Sequence, residues 1–109
     1  MKKLIVGTVL ALVSTASFAQ YQTPPARITQ IVTGWASDSF SLNMGAPAYN
    51  PAGCQATDIY ASDISNPGYK TFYAAALTAF ATDTPVVLVV STTECQGARP
   101  KLMSVTLTH

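Results

Sequence analysis

Few side chains in this sequence could move a proton, hold a metal or attack a substrate. There are two cysteines, one histidine and five carboxylates. The histidine, His109, is the last residue. A Ser–His–Asp or Cys–His arrangement needs a base oriented by a rigid frame, and a chain terminus rarely supplies one. Asp38, Asp58, Asp63, Asp83 and Glu94 fall in turns or short loops near strand ends. They read as solvated turn residues rather than as an acid–base pair. Cys54, Cys95 and a terminal histidine cannot complete a four-ligand zinc site within one chain. No glycine motif for cradling phosphate is present. The sequence predicts no catalytic residue, no metal and no cofactor, and the chain is read as a non-enzyme.

Aromatic side chains beside small polar ones offer a different chemistry. Stacking on an aromatic face combined with directional hydrogen bonds is a usual way of holding a sugar. Trp35 with Asp38, Tyr49 and Tyr60 are the candidate ligand-binding residues on this ground. Each has a plainer role: Trp35 could plug one end of the core, and Tyr60 could be an ordinary core residue. Both readings stay open for these positions.

The elements that would position them follow from periodicity. Residues 27–35 are rich in β-branched residues and read as a first strand. After a turn at 36–38, residues 39–44 alternate, with Phe40, Leu42 and Met44 on one face and Ser39, Ser41 and Asn43 on the other. Period two marks a strand with one buried face. Residues 45–53 carry loop chemistry in Pro47, Asn50-Pro51 and Gly53. Residues 56–61 read as a short third strand. Asn66 as N-cap and Pro67 at the first helical position predict a helix running to about Ala81. Its core stripe is expected to be Tyr69, Phe72, Tyr73, Ala76, Leu77 and Phe80. Residues 85–90 form a continuous apolar strand, 92–100 a loop, and 101–108 a last strand with Met103, Val105 and Leu107 inward.

The beginning of the chain sets the compartment. Lys2 and Lys3 precede an apolar run, Leu4–Val13, and Ser17 and Ala19 place small residues before Gln20. This is the pattern of a signal peptide over 1–19, cleaved after Ala19. The run is shorter than the roughly 20 apolar residues of a membrane span, and no later segment approaches that length. The expected mature protein is secreted or periplasmic, with no membrane span after cleavage. Residues 20–26 read as an irregular N-terminal arm, and 27–109 as one domain.

Charge narrows the partners. The chain has six Lys and Arg against five Asp and Glu, and without Lys2 and Lys3 four cations face five carboxylates. No basic run offers the electrostatic footprint that nucleic acid requires. In an oxidising compartment, two cysteines have one intramolecular connection, Cys54–Cys95. Closing that loop of about 40 residues is worth roughly 4 kcal/mol in the chain-entropy model.

The fold expected is mainly β with one α-helix, in the order β-β-β-α-β-β. That is the order of an OB-fold-like five-stranded barrel. Its third and fifth strands lie side by side and parallel. That would bring Cys54, just before the third, close to Cys95, in the connection to the fifth.

The stretch FYAAALTAFATDTPVVLVVSTTECQGARPKLMSVTL, preceded by a Cys and a Tyr-containing short strand, resembles small exported bacterial OB-fold proteins. These are related to the pentameric B subunits of AB toxins, of the subtilase cytotoxin and pertussis-like group. The resemblance covers about the last half of the mature chain. It implies ring-like oligomers, with a glycan or a catalytic toxin subunit as partner. No residue here matches the family's sugar-binding residues, so glycan binding is not carried over to particular positions.

The helix has a smooth outer side in this reading. Ala74, Ala75, Thr78 and Ala79 lie away from the apolar stripe, and Lys70 is the only charge in the helix. Such a face admits close approach of another chain, and these residues are the candidate subunit interface. Alanine is also simply the best helix former. Two functions remain. One is a binding module similar to a toxin B subunit, glycan-binding and oligomeric. The other is a stand-alone periplasmic structural or inhibitory protein acting through a protein–protein interface.

Overall fold

The computed structural model describes residues 20–34 and 37–109. The expected signal peptide and Trp35 lie outside these residues. The described chain forms strands β1 (Gln20–Gln22), β2 (Gln30–Thr33), β3 (Ser39–Asn43) and β4 (Tyr60–Asp63), helix α1 (Tyr69–Thr82), and strands β5 (Val86–Gln96) and β6 (Arg99–Leu107). All six strands join one sheet in the order β1-β5-β6-β4-β3-β2. β4 and β6 are parallel neighbours and the other pairs are antiparallel. The sheet is thus mainly β with one helix, as the sequence predicts, but it is open. β1 and β2 are its two edges and do not pair, so the strands are not closed into the expected barrel.

The reason lies in residues 20–33, where an irregular arm and one long strand were expected. The beginning pairs with β5 through β1 and through a bridge from Ala26 to Val86. The end turns away and pairs with β3 as β2. Within the arm, residues 20–22 are a strand and Ala26 a bridge, and one continuous segment borders the sheet on both sides. Thr23 marks the first half: its amide donates to Leu88 O at 2.8 Å and its hydroxyl accepts from Leu88 N at 2.9 Å.

The last two strands reach further than their apolar runs. β5 continues through Cys95, and a turn at Gly97-Ala98 returns directly into β6 at Arg99. Gly97 sits at φ +60°, which favours glycine. The hairpin holds a register shift between Val89 and Val90, which pair with Ser104 and Leu102. Met103 is the extra residue and the alternation changes phase there. Leu102 is consequently fully buried, and Met103, expected inward, is only half-buried.

Cys54 and Cys95 form the expected disulfide, with Cα atoms 5.8 Å apart. It ties the loop before β4 to β5 while the parallel β4–β6 pair sets the two elements side by side. Asn50 braces the same loop, donating to Cys54 O and accepting from Cys54 N, both at 2.7 Å.

The core lies between the sheet and α1. Phe40, Leu42, Val86, Leu88, Val90 and Leu102 are its fully buried large side chains, together with Ala76 and Ala79 from the helix. The helix begins later than its sequence signals suggest. Its N-cap is Gly68, with no side-chain cap. Asn66 turns inward instead, donating to Ser62 Oγ at 2.7 Å and Gln96 Oε1 at 3.0 Å. A Cβ at Gly68 would meet the Phe72 ring, which would have to shift to admit it.

The helix phase differs from expectation. Small residues, Ala76 and Ala79, meet the sheet, with Tyr69 at one end and the rings of Phe72 and Tyr73 packed beside them. Leu77 and Phe80 point outward, 42% and 46% exposed. Of the expected interface residues, Ala74 and Thr78 are exposed, but Ala79 belongs to the core. The cause is space. Phe40 already fills the gap beneath the first turns, 5.5 Å from the Tyr69 ring and 5.1 Å from that of Tyr73. Only alanine then fits between the following turn and the sheet.

Candidate functional site

The alternation of β3 leaves Ser39, Ser41 and Asn43 on the face turned away from the core. β2 adds Gln30 and Val32 beside them, and β4 adds Ala61 and Asp63. Ser37 from the β2–β3 connection and the β5–β6 turn wall in this surface. The result is a groove of about 450 Å³. Its lining is mostly hydroxyl, amide and small apolar groups.

Several groups in the groove are fixed by their neighbours. Asn43 and Gln30 are cross-strand partners, and Asn43 Nδ2 lies 3.4 Å from Gln30 Oε1. Asn43 Oδ1 accepts from Gly45 N at 2.9 Å, which sets the orientation of the amide. Gln96 is held from below by Asn66. At the far end Arg99 grips Asp58 with two parallel bonds, Nε to Oδ1 at 2.9 Å and an NH2 nitrogen to Oδ2 at 3.1 Å. This bidentate pair is geometrically specific.

Electrostatics follow from these contacts. Arg99 holds the Asp58 carboxyl below its ordinary value and is itself raised by that bond. Asp63 is lowered by bonds from the Ser65 hydroxyl and amide. Both groove carboxylates are therefore ionised at neutral pH. A general acid needs a value near the working pH, and neither is tuned that way. The groove's one cation among the described residues is Arg99, and its charge is matched by Asp58. Lys101, next along β6, is paired with Glu94 at 2.7 Å. Asp63, held by Ser65, is left as a groove carboxylate with no ion pair among the described residues. Hydroxyls that both give and take hydrogen bonds, with fixed amides and a single cation already matched by Asp58, complement a neutral ligand rich in hydroxyl groups.

The residues expected to bind ligand are not brought together. Trp35 lies outside the described residues. Asp38 is exposed in the β2–β3 connection next to Ser37, where it accepts the Tyr69 hydroxyl at 2.7 Å. That bond pushes the Tyr69 phenol up to about 12. Asp38 O also accepts from Ile64 N at 3.0 Å, so the connection bordering the groove is pinned both to the start of α1 through Tyr69 and to the end of β4 through Ile64. Tyr49 and Tyr60 belong elsewhere. Tyr60 is 3% exposed on the core side of β4, and its hydroxyl accepts from Tyr49 N at 2.9 Å. Both line a separate apolar cleft of about 180 Å³ between residues 23–26 and 44–49.

Sequence reasoning therefore missed Gln30, Ser41, Asn43, Asp58 and Arg99. The outward parity of β3 was the available signal, since it placed Ser39, Ser41 and Asn43 on one face. The Asp58–Arg99 pair had none, because it joins residues 41 apart.

No family model, curated protein or solved structure matches this chain.

Proposed function

We propose that this protein is an exported, non-enzymatic binding module that holds a neutral, polyhydroxylated ligand, a glycan, in the groove across β2, β3 and β4. The carrying observation is the groove's composition: about 450 Å³ lined largely by hydroxyls, amides and small apolar groups, with its one cation among the described residues paired to Asp58. The volume is within the range of small-molecule sites. The frame is OB-fold-like in strand adjacency, β2-β3-β4-β6-β5 with β4 and β6 parallel, and the split first segment stands where a closing strand would run. In such frames the face of the second and third strands with the adjoining loops is the usual ligand surface. The pattern that resembles toxin B subunits is consistent with this reading, which does not depend on it.

A glycan panel tests the proposal. Wild type should bind a subset of neutral glycans, and Ser41→Phe, which fills the groove from an outward position, should abolish that binding without unfolding the protein. A blank panel with folded wild type overturns it.

Leu77 and Phe80 favour a second reading, self-association through the outer side of α1. Two large apolar side chains stand exposed on a helix whose one charge is Lys70. A near-neutral chain has little net repulsion to keep copies apart. This reading also serves the alternative of a structural or inhibitory protein acting through an interface. Light scattering at tens of micromolar decides it: a monomer sinks it, whereas an oligomer dispersed by Leu77→Glu sustains it.

A further inference from the structure

The groove does not account for the apolar cleft on the other side of the sheet. Its walls are the Pro24-Pro25 corner and the loop from Met44 to Tyr49, and its floor includes Leu88 and Tyr60. At about 180 Å³ it exceeds the roughly 150 Å³ that holds a benzene molecule in a protein interior. It is too small for a sugar chain. At one side the Tyr49 ring, 45% exposed, packs against Tyr21 with ring centres 5.3 Å apart.

Two buried residues that carry a hydroxyl line the cleft, Thr23 and Tyr60. Each accepts a backbone N–H, from Leu88 at 2.9 Å and from Tyr49 at 2.9 Å. Neither finds an acceptor for its own proton among the described residues. Burial pushes the Tyr60 phenol up, so its proton stays on. The prolines of the walls have no N–H to offer. The cleft therefore presents hydrogen to give inside an apolar wall. A charged acceptor would lose its hydration there without a counter-ion, so a neutral one fits.

We infer that this cleft is a second binding site, for one apolar six-membered ring or ring-sized group that carries a neutral carbonyl oxygen. The carbonyl accepts from Tyr60 or Thr23 while the ring replaces water against Leu88, Met44 and the prolines. The same chemistry is offered by a free aryl ketone and by a prolyl residue of a peptide.

The test uses acetophenone and ethylbenzene, which share size and differ by the carbonyl. Titrated into isotope-labelled protein, acetophenone should shift the amides of Tyr49, Tyr60 and Leu88 saturably and bind about five-fold tighter than ethylbenzene, the worth of one neutral hydrogen bond. Tyr60→Phe with Thr23→Val should erase that preference and keep ethylbenzene binding. Ala46→Phe, which fills the cleft from an exposed position, should abolish both. Acetyl-proline methylamide in place of acetophenone separates the sources: tighter binding points to a peptide, weaker binding to a free ring compound. Absence of saturable shifts in wild type, equal affinity for the two probes, or unchanged binding in Ala46→Phe overturns the inference.

Discussion

β3 and α1 bury their residues by opposite logic. On β3 the large apolar residues Phe40 and Leu42 face the core, and the small polar ones face the groove. On α1 the small residues Ala76 and Ala79 face the core, and Leu77 and Phe80 face out. A strand has only two sides, so its alternation decides which residues are buried. A helix can rotate about its axis, and the space left by the sheet chooses the rotation. Here the sheet offers a shallow gap roofed by Phe40, and close approach over alanine wins over burial of every large side chain.

Mutations can break or sharpen this contrast. Phe40→Ala removes the residue that fills the gap and should cost about 3–5 kcal/mol in urea denaturation. A cost near zero would mean that the helix does not depend on it. Ala76→Leu should destabilise by about 1–3 kcal/mol through overpacking, although leucine is a good helix former. A neutral or stabilising result would show that the helix has room to lift.

The Asp58–Arg99 pair tests the outward face of the sheet. Asp58's lowered folded value gives stability that is complete above its ordinary value of about 3.9 and is lost as pH falls through the lower folded value. With the Asp58 side chain 58% exposed, the effect is no more than about 1 kcal/mol. The difference in midpoint between wild type and Asp58→Asn should be present at pH 7 and fade in acid, once pH has fallen through Asp58's lowered value. A gap that persists in acid would assign the effect to packing. Smallest of all, Leu77→Gln should change monomer stability by less than about 0.5 kcal/mol. A loss as large as that of Phe40→Ala would restore Leu77 to the core.

The same contrast explains what the sequence disclosed. The parity of β3, the existence of α1, the β4–β6 neighbourhood and the disulfide were legible, because each follows from periodicity or from a topology with few alternatives. The helix phase was not, since Tyr73, Leu77 and Phe80 form as good a stripe as the true one and nothing local ranks them. The ends of β5 and β6 were obscured because Thr92–Gln96 are polar residues held in strand by their partner rather than by an apolar run. The groove was half legible: Ser39, Ser41 and Asn43 were seen to face away from the core, but their walls come from residues distant in sequence. Asn66 misled because a side chain suited to capping was used to fasten Ser62 to Gln96.

The segment that borders the sheet on both sides also sets the order in time in which the molecule can be finished. Synthesis delivers its N-terminal half first, yet that half pairs with residues about 65 positions later, as Thr23 does with Leu88. β2 can find β3 early, across a short connection, while β1 waits for β5 to emerge. Until then, Gln20–Ala26 has no strand to join. Contacts so distant along the chain bring no gain until a long loop has closed, which makes their formation slow. The domain should therefore remain incomplete, with Gln20–Ala26 open to other chains or to a chaperone, until nearly all of it has been made.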